Sequence, residues 1–106
     1  MAGSDEPRDN GPPEEGDHII NWHMSYVSQI ALQAETHLRA FADLIKGELI
    51  KMRTDADFIR EKLPGPHHHI NKLKNTDRDL RRVLDPVNEL ADQVRSISHR
   101  AANRIT

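Results

Sequence analysis

Residues 70–105, INKLKNTDRDLRRVLDPVNELADQVRSISHRAANRI, decide the fold class of this chain. Apolar residues recur there at alternating steps of three and four, which is the spacing of the seam in a left-handed coiled coil. The seam residues are Ile70, Leu73, Asp77, Leu80, Leu84, Val87, Ala91, Val94, Ser98, Ala101 and Ile105. Because only Asp77 and Ser98 are polar, the pattern predicts a long amphipathic helix over 70–105.

A third apolar row runs beside this seam at seven-residue spacing and consists of Val83, Leu90 and Ile97. Two rows suffice for a two-stranded coil, so a third row predicts burial against more than one neighbouring helix. Pro86 falls on the outer side of the same helix. It predicts a bend or a short break that keeps the helical direction, since proline removes one backbone hydrogen bond.

The preceding part of the chain also has helical spacing, and we expect a helix over 17–63 with Asp17 as its cap. Two successive steps of four, from Phe41 to Ile45 to Leu49, predict a stutter in the supercoil. Gly47 beside it is interpreted as a tolerated residue on the outer face. The predicted seam is Ile20, Met24, Val27, Ala31, Ala34, Leu38, Phe41, Ile45, Leu49, Met52, Ala56, Ile59 and Leu63.

The ends of these helices are marked by prolines and glycines. Pro64, Gly65 and Pro66 cannot continue a helix, so we expect a loop over 64–69 that reverses the chain into a helical hairpin. A kinked, nearly continuous rod is the alternative. Residues 1–16 are rich in Pro, Gly, Asp and Glu and predict a disordered acidic tail, because they cannot bury enough apolar surface to order the chain.

The composition limits the classes of function. The 106 residues form one small all-α domain, and they include no Cys. Disulfides, thiolate metal ligands and a catalytic thiol are therefore excluded. No run approaches the roughly 20 apolar residues of a membrane span. We expect a cytoplasmic protein, including at the periphery of organelle membranes, with the nucleus as an alternative.

The polar residues predict neither an enzyme nor a metal or cofactor site. His67, His68 and His69 are adjacent, so their side chains point in different directions and do not converge on one ion. The serines lack the turn and the glycine-rich loop that nucleophilic catalysis needs. A basic cluster at 72–82 comprises Lys72, Lys74, Arg78, Arg81 and Arg82. It could face phosphates, but interleaved aspartates favour a solvated coiled-coil face or a salt bridge to an acidic partner.

Two stretches carry a resemblance to a known family. The segment from Leu84 to Val94, LDPVNELADQV, and the triplet Gly47-Glu48-Leu49 are similar to helices in small subunits of the biogenesis-of-lysosome-related-organelles complex. The Pro-Gly-Pro break and the shorter spacing between the two stretches depart from that family. The resemblance implies a helical, cytosolic subunit of a rod-shaped assembly that acts in endosome and lysosome trafficking.

These observations predict a structural subunit of a hetero-oligomeric coiled-coil complex, whose partners are other coiled-coil proteins. A homo-oligomer is the alternative assembly. A helical module that binds nucleic acid or an anionic membrane surface through residues 72–82 is the alternative function. The residues expected to bind partners are Leu38, Phe41, Ile45, Leu49, Met52, Ile59, Leu80, Leu84, Val87, Leu90, Val94 and Ile97.

Overall fold

The computed structural model of this chain describes residues 13–106 as two α-helices joined by a loop. Helix α1 spans Pro13–Lys62 and helix α2 spans Ile70–Asn103. Within the described residues there is no strand. The prediction of an all-α helical hairpin is confirmed.

The helix boundaries differ from the predicted ones by a few residues. Helix α1 begins at Pro13 rather than at Asp17, so residues 13–16 are helical and the prediction of Asp17 as the cap is wrong. Proline suits the first position of a helix because its φ angle is already helical and no hydrogen bond is lost there. The rest of the predicted tail, 1–12, lies outside the described residues.

The two helices end slightly earlier than predicted, at Lys62 and Asn103. A short turn leads into α2, in which the N–H of Ile70 donates to the carbonyl of His67 at 3.0 Å. Helix α2 then continues through Pro86 without a break. Proline costs one hydrogen bond at this position, and the packing of the residues around it maintains the helix.

The helices form two compact units, which we call the loop unit and the terminal unit. The loop unit comprises Glu35–Asp92. Its core contains Ile45, Leu49 and Met52 of α1, and the half-buried leucines of α2 that pack against them are Leu73, Leu80 and Leu84. Arg39 contacts Asp92 and Arg53 contacts Asp77. In these contacts the residue numbers rise along α1 while those of their partners in α2 fall, so the two helix segments are antiparallel.

The seam of α1 in the loop unit passes through Ala42 and not through Phe41. Ala42 is 1% exposed, whereas Phe41 is 48% exposed. With Ala42 in place, the steps from Leu38 through Ile45 to Leu49 alternate between three and four, so the predicted stutter is wrong. The prediction failed because it favoured the larger apolar residue, although small side chains also occupy seam positions.

Other predicted seam residues are exposed. Ile20, Leu63 and Ile105 lie near helix ends and are solvent-accessible, so their predicted seam role is wrong. The remaining seam of α2 is confirmed by burial: Ile70, Ala91, Ser98 and Ala101 are buried, and the intervening seam positions are half-buried. Leu63 and Ile105 lie outside the helices, which end at Lys62 and Asn103, and Ile20 lies beside the seam, next to the half-buried Asn21.

The terminal unit comprises Gln93–Thr106 together with the described residues of Met1–Ala34. Ala31 and Ala101 are buried in it. The hydroxyl of Ser98 donates to the backbone carbonyl of Ser28 at 2.9 Å and lies 3.0 Å from its hydroxyl. These bonds satisfy a polar group that would otherwise be buried without a partner at a cost of about 1–3 kcal/mol.

Gly47 supports a stability prediction. It is exposed inside α1, and an added Cβ would find no atom within 4 Å, in agreement with its predicted place on the outer face. Gly47→Ala is therefore expected to raise the free energy of unfolding by about 0.5–1 kcal/mol, because alanine restricts the unfolded chain. Thermal melting followed by circular dichroism measures this; an unchanged or lower melting temperature would contradict it.

Candidate partner-binding surfaces

Most of the residues expected to bind partners are covered by the chain itself. Those that are buried or half-buried are Leu38, Ile45, Leu49, Met52, Ile59, Leu80, Leu84, Val87 and Val94. Phe41, Leu90 and Ile97 are exposed. Of the expected set, these three therefore present the most surface to another protein.

The heptad positions of the loop unit define its two sides. With the seam at positions a and d, Phe41, Val83 and Leu90 occupy g positions and Leu44 occupies a c position. In an antiparallel pair, the g positions of both helices lie on one side of the seam and the e positions on the other. These four residues, all exposed, therefore share one side, which we call the apolar side.

The opposite side of the loop unit carries ion pairs. Arg39 donates to Asp92 across the helix pair and to Glu35 within α1, both at 2.8 Å. Both hydrogen bonds raise the pKa of the Arg39 guanidinium, and the bond to Asp92 has the larger effect. Arg53 lies 3.5 Å from the half-buried carboxylate of Asp77. This side, which we call the charged side, is therefore hydrated and internally paired.

The fully buried core is small. Its large apolar members are Ile45, Leu49, Met52 and Ile70. The other buried apolar residues are alanines, namely Ala31, Ala42, Ala56, Ala91 and Ala101. Burying an alanine methyl contributes roughly 0.8 kcal/mol, against about 1.5–3 kcal/mol for a leucine, isoleucine or methionine side chain. Among the described residues, more large apolar side chains are therefore exposed than buried.

The sequence prediction followed a single seam and therefore did not include several of the large apolar residues that are exposed. Leu44 is 73% exposed, and Ile50 and Phe58 are also exposed on α1. One signal could have found Leu44: Ile30, Ala34, Phe41 and Leu44 lie at c and g positions and form a second apolar row, with steps of four, seven and three. Two such rows on one helix are typical of a helix that packs against more than one neighbour.

The terminal unit is apolar over several sides of α1. Residues 18–34 contain no Asp, Glu, Lys or Arg. The exposed large apolar residues of this stretch are Ile19, Ile20, Trp22, Tyr26, Ile30 and Leu32. They occupy the b, c, e, f and g positions, so they point in many directions. Exposed large apolar residues on several sides of one helix are typical of a helix that contacts more than one neighbour.

Trp22 and Tyr26 form an exposed aromatic pair in this stretch. Their rings are stacked with centroids 5.4 Å apart, and His23 meets the indole edge-on at 5.0 Å. Tryptophan and tyrosine are enriched among the residues that dominate binding energy in interfaces. This pair is therefore a candidate anchor for a partner.

The basic cluster at 72–82 is exposed and partly paired. Arg81 contacts Asp77 at 2.6 Å, and Arg78 donates to the side chain of Asn75 at 3.3 Å. Lys74 lines an open groove of the loop unit together with Arg53 and Arg60. Asp57 and Asp77 lie in the same groove, so its positive charge is largely compensated.

The histidine run lies in the loop between the helices. The rings of His68 and His69 meet edge-to-face with centroids 5.8 Å apart, and those of His67 and His69 do so at 6.1 Å. Across residues 13–106, no group of three or more His, Asp or Glu side chains has an arrangement that could hold a metal ion. Neither described helix is long and apolar enough to cross a membrane.

Comparison with known proteins assigns no family to this chain. No family model, curated protein or solved structure matches it. The function is therefore inferred from the residues and surfaces themselves.

Proposed function

We propose that this protein is a structural subunit of a hetero-oligomeric helical complex, which it joins by packing its exposed apolar residues against partner helices. The observation that carries the proposal is the apolar side of the loop unit. Phe41, Leu44, Val83 and Leu90 are all exposed there, on the side opposite the ion pairs. Exposed large apolar side chains grouped on one side of a small protein are typical of an interaction site.

The small core supports the same proposal. The hairpin buries mainly alanines at its seam, and the net stability of a small domain is only about 5–15 kcal/mol even when its core is large. Burial of Phe41, Leu44, Val83 and Leu90 against a partner would add further stabilisation to the hairpin. Assembly and folding are thus coupled, because binding to the folded form stabilises it by mass action.

The cellular role is the finer part of the proposal. The likeness of residues 84–94 and 47–49 to small subunits of the biogenesis-of-lysosome-related-organelles complex supports a cytoplasmic assembly that acts in endosome and lysosome trafficking. Such a subunit performs no chemistry and holds no cofactor. Its function is to present helix surfaces at fixed spacing to its neighbours.

The test is a variant in which Leu44, Val83 and Leu90 are replaced by glutamine. All three are exposed and glutamine is a good helix former, so the helices should be retained. The tagged full chain is purified under native conditions from cells that produce it, and the mass of its assembly is measured. We expect the wild-type chain in a complex with other helical subunits and at least a tenfold lower yield of that complex for the variant, since each lost apolar contact weakens binding.

The matched control replaces Arg78 and Arg82, both exposed on α2, with alanine. Exposed charges contribute roughly 0–1 kcal/mol each, so this variant should keep its partners. If the arginine variant loses its partners while the glutamine variant keeps them, the proposed function is wrong. Binding to nucleic acid or anionic lipid through residues 72–82 then becomes the function, and it is recognised by steep weakening with salt.

A further inference from the structure

The terminal unit has an apolar surface with a basic border. Continuing the heptad positions of each helix, Ile20 and Ile30 of α1 occupy g and c positions, as do Ile97 and Arg100 of α2. Arg104, in the turn that follows α2, is at the next g position along the chain. The g and c positions of an antiparallel pair lie on one side of the seam. All five residues are exposed. We call this surface the basic-rimmed face.

The charges around this face are of one sign. Residues 93–106 contain three arginines and no Asp or Glu, and residues 18–34 contain no charged residue of either sign. Among the described residues, no ion pair involves Arg100 or Arg104. The described acidic side chains of the terminal unit are Glu15 and Asp17 in the first turns of α1. Within the described residues, Arg100 and Arg104 are therefore available to pair with a carboxylate of a partner.

Resting on the proposed function, we infer that the basic-rimmed face binds an amphipathic partner helix whose apolar stripe is flanked by Asp or Glu. The isoleucines accept the apolar stripe, and Arg100 and Arg104 pair with the flanking carboxylates. Arginine suits this role because its planar guanidinium binds a carboxylate through two parallel hydrogen bonds. Charged flanks of a helical seam determine which partner is accepted.

Charge also argues against a second copy of this chain at the face. If the face paired with itself, the arginines of one copy would lie against those of the other. Like charges that are brought together across an interface cost several kcal/mol, which disfavours that pairing. The uncharged stretch 18–34 of α1 brings no carboxylate to neutralise them. A separate acidic helix satisfies both the isoleucines and the arginines.

The test uses two designed helical peptides with the same leucine and isoleucine seam. One has Glu at both flanking positions of every heptad and the other has Lys, so each repels its own copies and keeps its seam free. Binding of each peptide to the full chain is measured by calorimetry at low and high salt. We expect the Glu peptide to bind at least about tenfold more tightly than the Lys peptide, with the difference shrinking as salt screens the charges.

Charge reversal provides the decisive variant. In Arg100→Glu/Arg104→Glu the preference should invert in favour of the Lys peptide. Arg78→Glu/Arg82→Glu, which changes the same number of exposed arginines on α2 outside the terminal unit, should keep the preference for Glu. Circular dichroism of both variants verifies that the helices remain.

Three results contradict the inference. Equal binding of both peptides shows that the arginines do not select a partner. It leaves intact the proposal that exposed apolar residues pack against partner helices. Binding of neither peptide shows that the face is not a helix-binding site. A chain that dimerises and whose dimer is lost on charge reversal shows that a second copy occupies the face. Failure of the proposed function is seen separately, in the retention of partners by the Leu44, Val83 and Leu90 variant.

Discussion

Replacing Leu49 with aspartate is expected to unfold the loop unit, whereas the same replacement at the neighbouring Ile50 should leave it folded. Leu49 is 5% exposed and packs in the core with Ile45 and Met52, while Ile50 is 66% exposed. The Leu49→Asp variant loses about 2–5 kcal/mol of leucine packing. It also buries a carboxylate without a partner, at a cost of several kcal/mol more.

The measurement is the far-ultraviolet circular dichroism of the two isolated variants during thermal melting. Leu49→Asp should show little helix and no cooperative transition, because the combined cost equals or exceeds the stability of a small domain. Ile50→Asp should melt close to the wild-type chain. If the two variants melt alike, Leu49 does not lie in the core.

Replacing Ala91 with leucine is expected to separate the helices of the loop unit. Ala91 is 0% exposed at the seam of α2, so three additional carbons have no space to occupy. Overpacking of this kind costs about 1–3 kcal/mol. For a chain of this size each kcal/mol lowers the melting temperature by about 4–8 °C.

The control for this variant is Ala40→Leu. Ala40 is exposed on α1, and alanine and leucine have nearly equal helix propensity. Its melting temperature should therefore stay within a few degrees of wild type, by the same conversion. If Ala91→Leu melts like the wild-type chain, the seam has room at this position. A fall in melting temperature of the same size for both variants would show that the effect is not overpacking.

The sequence of α2 was sufficient to predict its fold. Its seam alternates without interruption from Ile70 to Ala101, and these positions are the buried or half-buried ones in the structure. Even Asp77 and Ser98 keep their seam positions, because Arg53 pairs with the first and Ser28 bonds to the second. A repeat this regular identifies the seam that packs against α1, so periodicity alone predicts it.

The register of α1 needed the tertiary structure. Phe41 and Ala42 are adjacent and both apolar, and composition favours the phenylalanine as the buried residue. The structure buries Ala42 instead. A seam that reaches Ile45 and Leu49 by alternating steps of three and four places Ala42, and not Phe41, against α2. Glu35 is buried for the same reason, with Arg39 bonded to its carboxylate.

The sequence by itself determined that this protein consists of two amphipathic helices and carries more apolar surface than a hairpin can cover. Tertiary structure alone decided which apolar residues remain for partners. Phe41 and Ala42 are adjacent apolar residues in the sequence, yet Ala42 is buried in the seam and Phe41 is exposed. A helix offers several apolar rows, and burial depends on which row the opposite helix covers, a property of the pair that neither helix contains alone.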